Sequence, residues 1–311
     1  MIEPEPGIKL NKIKRLFLKI FRANKSSNSE IDHIDLGNSL EYIPGLSGSK
    51  NLFLGRFNEK DIFLMLEKIG LIKYLNSIGF RELLLDIDKD QSQIYYCRLF
   101  WREKKQETLL IDLRVSESTF MPDKRYLDSS DNMIPYDMIV IEWLSAKNPL
   151  KKFDGNRPQL PGQSNPGLGV MSYCFDFLHI IAKQVYKDGF LDIPDHMHGA
   201  IMYSGKFKFF DPVHEGIIRA VIRDLSDYPL ADISWGVITN TIIERYKNQP
   251  AIYAPGEQIC SVSRRMKKYF ESKKYKTTFK KYYNRKRYYL DYEEMKKRRE
   301  NILKLKKIED I

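Results

Sequence analysis

Apolar residues near the start of the chain recur at helical spacing. Ile8, Ile13, Leu16, Phe17, Ile20 and Phe21 alternate with Lys9, Lys12, Lys14, Arg15, Lys19 and Arg22, which predicts a short basic amphipathic helix over 8–22. Such a helix either docks its apolar face on its own domain or lies on an anionic membrane surface. The polar ANKSSNSE that follows reads as a linker. From Asn58, Ile62, Leu66 and Ile69 share one helical face, with Asn58 as a cap and Gly70 and Gly79 as breaks.

Three stretches with partial alternation then follow. ELLLDI, QIYYCRLFW and TLLIDLRVS are rich in β-branched and aromatic residues and are separated by polar turns, which predicts an antiparallel meander. The apolar run MIPYDMIVIEWLS predicts a buried central strand. A loop dense in Pro, Gly and Asn leads into VMSYCFDFLHIIAKQVYKDG, a helix ending near Gly189. FLDIP, HMHGAIMYSG and FKFFDP add strand, helix and strand. The expected fold is α/β, a mixed central sheet flanked by helices.

At 311 residues the chain has room for one main domain with extensions. The divisions drawn from the pattern are 1–50 (basic helix and linker), 51–245 (the α/β domain) and 246–311 (a basic, aromatic-rich, helical extension). A mean hydropathy of −0.46 and the lack of an apolar run near 18 residues argue against a membrane-embedded protein. Lysines interrupt the apolar residues of the N-terminus, unlike the core of a secretory signal. Cys97, Cys174 and Cys260 lie far apart without a CxxC spacing, which suits buried thiols in a reducing, cytoplasmic setting.

Charge changes this picture once it is located. Residues 261–311 hold 19 Lys and Arg against 7 Asp and Glu, a net of +12 in a chain whose total is +11. Residues 1–25 add 7 basic against 2 acidic residues, so the centre is mildly acidic between two basic ends. In the tail, cations interleave with Tyr275, Phe279, Tyr282, Tyr283, Tyr288 and Tyr289. That composition suits either single-stranded nucleic acid, through phosphates and stacked bases, or a solvated helix whose aromatic stripe packs on the domain.

A strand that passes through a Gly-rich turn into a helix brings backbone N–H groups to a phosphate, and Gly167 and Gly169 let the backbone approach without a Cβ. The same turn also arises for steric reasons alone. The segment Gln163-Ser164-Asn165-Pro166-Gly167-Leu168-Gly169, followed by Ala200, Met202, Tyr203, Gly205 and Phe207, resembles the central part of the GNAT N-acetyltransferase superfamily over about Tyr136 to Pro212. Gln163 stands one residue farther from Gly167 than is usual there, and Tyr203 one residue closer to Phe207.

The resemblance implies acetyl-CoA as co-substrate, held at its diphosphate by Gln163, Gly167, Leu168 and Gly169. It implies an amine acceptor, with Tyr203 as general acid. Glu142 and His196 are candidate bases, because acyl transfer to an amine needs a base, oxyanion donors and an acid for the departing thiolate. His196 and His198 flank Met197 beside Asp195 but find no third metal ligand at convincing spacing, so no metal is expected. Trp143 and Trp235 read as core residues. Besides acyl transfer, two readings stay open: a non-catalytic module that binds nucleic acid, protein or an anionic surface through 261–311, and a peripheral membrane protein held by 8–22.

Overall fold

The computed structural model describes residues 52–123, 126, 134–154 and 158–311. The helix expected over 8–22 lies outside the described residues. Helix α1 (Glu59–Lys68) opens on a reciprocal cap: Asn58 Oδ1 accepts from the Asp61 N–H, and the Asp61 carboxylate accepts from the Asn58 N–H, each at 3.0 Å. Gly70, at φ +81°, separates α1 from α2 (Leu71–Ser77).

The meander is β1 (Leu83–Lys89), β2 (Tyr95–Trp101), β3 (Leu109–Phe120) and β4 (Tyr136–Ala146), each antiparallel to the one before. Helix α3 (Met171–Gln184) then carries the chain to β5 (Gly189–Asp192), which runs parallel to β4. Next come α4 (Met197–Tyr203), β6 (Lys208–Phe209), α5 (Pro212–Asp224), α6 (Leu230–Ile238), β7 (Ile242–Glu244) and β8 (Gln249–Pro250). The last elements are β9 (Gln258–Ser261), α7 (Arg264–Glu271), α8 (Lys273–Arg285), β10 (Tyr288–Leu290) and α9 (Tyr292–Leu303). Seven strands form one mixed sheet in the order β1-β2-β3-β4-β5-β9-β6, and β10-β7-β8 form a second. The order expected from α1 to β6 is the order observed. No helix among the described residues is long and apolar enough to cross a membrane.

The C-terminal segment departs from the expectation of a separate extension. Strand β9 fills the sheet between β5 and β6, so the boundary drawn at 245 falls inside the fold. Met266, Tyr269, Phe270 and Tyr275 are buried in one cluster with Tyr136, Met138, Leu191 and Phe210. Tyr269 Oη donates to the Phe210 carbonyl at 2.6 Å and Tyr275 Oη to the Phe209 carbonyl at 2.8 Å. Helix α8 lies so close to α5 that a Cβ on Gly216 would stand 2.9 Å from the Phe279 carbonyl oxygen. Arg265 pairs with Asp188, and Tyr288 and Leu290 anchor β10 in a further cluster. The helices turn aromatic residues inward and cations outward, which a count along the sequence does not separate.

Cys97, Cys174 and Cys260 are free and buried. Burial pushes the first two thiols up to about 12 and the third to about 11, so they behave as small apolar residues.

Candidate active site

The parallel pair β4 and β5 defines a position as well as a topology. Only Met138, Ile139 and Val140 pair with β5, at Gly189, Phe190 and Leu191. Strand β4 then continues six residues, Ile141 to Ala146, with β3 on one edge and no strand on the other. Among the described residues, that stretch makes backbone hydrogen bonds only with β3. The β3 pairing shifts at this point: Val115 faces Ile141 and Arg114 faces Trp143, leaving Glu142 as an extra residue in a bulge. Ligands of open α/β sheets bind beyond the carboxyl ends of the strands, and both loops leaving this pair lie there.

The bulge turns two successive residues outward. Glu142 is exposed and accepts from Ser116 Oγ at 2.5 Å. Trp143 is 52% exposed, with the Arg114 guanidinium 5.8 Å from its ring centroid, so the expectation that it belongs to the core is corrected. Trp235 is fully buried as expected.

The loop after β4 folds back along it. Lys147 bridges Gly167, and the Asn148 N–H donates to the Pro166 carbonyl at 2.7 Å. Gln163 holds its own turn: its Oε1 accepts from the Leu160 N–H at 3.2 Å and its carbonyl from Gln159 Nε2 at 2.7 Å. The Leu168 side chain is in the core, and its carbonyl accepts from Tyr74 Oη at 2.8 Å. Gly169 adopts φ +76°, and a Cβ there would stand 3.3 Å from Tyr74 Oη. At Gly167 a Cβ would meet nothing closer than the Ala146 carbonyl oxygen at 3.8 Å. The α3 N-terminus that follows has no side-chain cap. Of the four loop residues expected at a diphosphate, Gln163 and Leu168 therefore hold the loop itself. Gly167 and Gly169 are left to offer backbone.

Tyr203 is 7% exposed, packed edge-on against Phe175 at 5.2 Å and beside Phe207 at 5.1 Å. Its hydroxyl has no hydrogen-bond partner among the described residues. Burial first, and then the charge of Asp192, raise its pKa above the ordinary tyrosine value, so it keeps its proton. Asp192 ends β5. Burial, followed by repulsion from Asp195, pushes its carboxyl up to about 7 against a partial offset from the Ile193 N–H.

His196 and His198 stack with ring centroids 5.1 Å apart. His198 Nδ1 lies 2.8 Å from Ser234 Oγ, and burial together with His196 lowers its pKa to about 4, leaving it neutral. His196 is exposed and faces the loop: a Cβ on Gly162 would stand 3.7 Å from its Nε2. Between α4 and α6 lies a cavity of about 190 Å³ with a polar rim of Asp195, His196, Ser234 and Tyr253. Tyr253 Oη donates to the Pro194 carbonyl at 2.6 Å. Asp192 and Tyr253 escaped the sequence reading. The signal for Asp192 was the FLDIPD text, which sets one carboxylate at the end of a strand and another three residues on; Tyr253 had none.

Compared with protein-family models, with curated protein sequences and with solved structures, the chain matches none.

Proposed function

We propose that the chain is a GNAT-like N-acyltransferase that moves an acetyl group from acetyl-CoA to an amine. One observation carries the reading: β4 runs past β5 beside a Gly-containing loop, leaving a strand edge that begins where β5 ends at Asp192, a carboxyl near neutrality whose charge acts on the protonated Tyr203. A free edge offers N–H and C=O groups to the amides of an extended thioester arm, as in strand addition to a sheet. Gly167, Gly169 and the uncapped first turn of α3 would serve the diphosphate, with Lys151 and Lys152 exposed on the same loop.

In the reaction, the amine nitrogen bonds to the acetyl carbonyl carbon, the C–S bond breaks, and the amine proton passes to a base. Asp192 fits that role, with its pKa near the operating pH and its charge felt at Tyr203, whereas Glu142 is engaged by Ser116. His196 stands on the facing rim. Tyr203 Oη gives its proton to the leaving thiolate. Release of free thiol from acetyl-CoA in the presence of an amine tests this reading. Tyr203→Phe should slow release about tenfold to a thousandfold with little change in acetyl-CoA affinity. Equal rates in wild type and variant would remove Tyr203 from the mechanism.

A second reading rests on a different surface. Residues 264–287 hold 12 Lys and Arg and a single acid, Glu271. Of their aromatic residues, Tyr269, Phe270 and Tyr275 are buried and Phe279, Tyr282 and Tyr283 half-buried, so the outer faces of α7 and α8 are mostly cationic. With these rings turned inward, phosphate contact rather than base stacking would dominate. This face suits a double-helical backbone more than a single strand. Affinity that falls steeply with salt and does not favour single strands is the expected behaviour.

A further inference from the structure

The loop that leaves β4 is tied down at both ends. Near its start, Lys147 bridges Gly167 and the Asn148 N–H donates to the Pro166 carbonyl, so β4 itself holds that part. At its end the tie comes from a distant element: Tyr74, on α2, donates its hydroxyl to the Leu168 carbonyl at 2.8 Å. Leu71, Ile72 and Leu75 anchor α2 in the core, and the Tyr74 ring stands 5.4 Å from that of Tyr173 in the first turn of α3. The hydroxyl is therefore presented from packed structure, not from the loop. The Leu168–Gly169 peptide is trans, which points its C=O and its N–H in opposite directions. With the carbonyl turned to Tyr74, the Gly169 N–H is turned away from it; Gly169 is exposed, and its N–H has no hydrogen-bond partner among the described residues. The backbone does not hold this orientation unaided. A residue at φ +76° without a Cβ lets the peptide before it rotate at little cost, and rotation would put a carbonyl oxygen where the N–H had been, repelling an anion.

We infer that Tyr74 is a positioning residue of the diphosphate site: by holding the Leu168 carbonyl, it keeps the Gly169 N–H directed at the ligand. Tyr74 touches the loop and not the ligand, so its effect falls on binding of the diphosphate and leaves the chemical step alone. The identity of the ligand rests on the acyl-transfer reading; the presentation of one N–H to a diphosphate does not.

The test is calorimetric titration of the full chain, wild type and Tyr74→Phe, with acetyl-CoA, with inorganic pyrophosphate and with S-acetylpantetheine, a thioester that lacks the diphosphate. Phenylalanine keeps the ring beside Tyr173 and removes only the hydroxyl. Affinity for acetyl-CoA and for pyrophosphate should fall about threefold to twentyfold, in proportion to the lost share of correctly turned peptide. With acetyl-CoA as substrate, KM should rise and kcat should hold. S-acetylpantetheine should bind both proteins equally. In isotope-labelled wild type, the amide proton signal of Gly169 should move as pyrophosphate binds, which decides the matter even if the variant misfolds. Equal acetyl-CoA affinity in the two proteins, an equal loss for S-acetylpantetheine, or a Gly169 amide that ignores bound pyrophosphate would overturn the inference and leave the acyl-transfer reading standing. Pyrophosphate binding that depends on Tyr74, without acetyl-CoA binding, keeps the inference and removes that reading. No binding of either ligand by the wild type removes both.

Discussion

The meander (83–146) and the C-terminal segment (261–311) carry similar numbers of aromatic residues, eight against nine, yet they were unequally readable. In β1 and most of β2, side chains alternate between two faces, so sequence order maps onto burial: Leu85, Ile87, Tyr95, Cys97 and Leu99 turn inward, whereas β3 opens with five successive buried residues, Leu109 to Leu113. In α7 to α9 the same residue types are sorted around helices. A net of +12 over 261–311 suggests an arm, yet the charge lies outside while Met266, Tyr269, Phe270, Tyr275 and Met295 lie inside. Charge per length and charge per face are different quantities, and only the second decides whether a segment is part of a core.

The largest test of this contrast is truncation at Cys260. It removes α7, α8, β10 and α9, exposing Met138, Leu191, Phe210 and Ile259, so the remainder should lose its cooperative melting transition. A soluble, sharply melting truncated protein would restore the picture of a detachable arm.

A smaller perturbation targets the seam. Gly216→Val places a branched side chain where a Cβ alone would already stand 2.9 Å from both the Phe279 carbonyl oxygen and Tyr282 Cβ. Overpacking of this kind costs about 1–3 kcal/mol, and more if the α8 backbone cannot shift. Chemical denaturation should show that loss; unchanged stability would mean that α8 is loosely held.

The smallest effect concerns Asp192 and depends on pH. Its carboxyl stands at about 7 in the fold against 3.8 for an ordinary aspartate, so the folded state holds a proton that the unfolded state has lost between those values. Stability from this group is present below about 4 and declines as pH rises through 7. Asp192→Asn should therefore leave stability nearly unchanged at pH 4 and raise it at pH 8 by on the order of 1 kcal/mol, the full shift being discounted for the water that reaches this half-buried group. His198 acts in the opposite sense: lowered to about 4, it destabilises the fold as pH drops from 6.5 towards 4. Comparing variant with wild type at each pH removes that contribution. A variant that gains nothing at pH 8 would show that Asp192 is better solvated than its neighbours imply.

The order of elements from α1 to β6 was legible because caps, glycines and periodicity are local. Less legible were features set by pairing. Strand β9 is four residues long, too short to show alternation, and its place between β5 and β6 follows only from long-range register. Trp143 read as core because it follows an apolar run, but the extra residue at Glu142 shifts the face of what comes after it. In the candidate site, Tyr203 and His196 came from text that could be read locally. Tyr74 acquires its significance only from Leu168, 94 residues away in sequence. Gln163 shows the converse: its spacing suggested a ligand contact, whereas its side chain closes the turn it sits in.

The central claim, that the loop after β4 receives the diphosphate of acetyl-CoA, is tested most directly at Gly167. A Cβ there meets ordinary contact distances and the backbone needs no left-handed conformation, so Gly167→Val should fold. It would nonetheless put a side chain where the diphosphate must approach. Calorimetric titration should therefore show acetyl-CoA binding to the wild type and at least a tenfold loss in a variant with an unchanged melting transition. No heat and no melting shift with the wild type at millimolar acetyl-CoA, or equal affinity in the two proteins, would contradict the account.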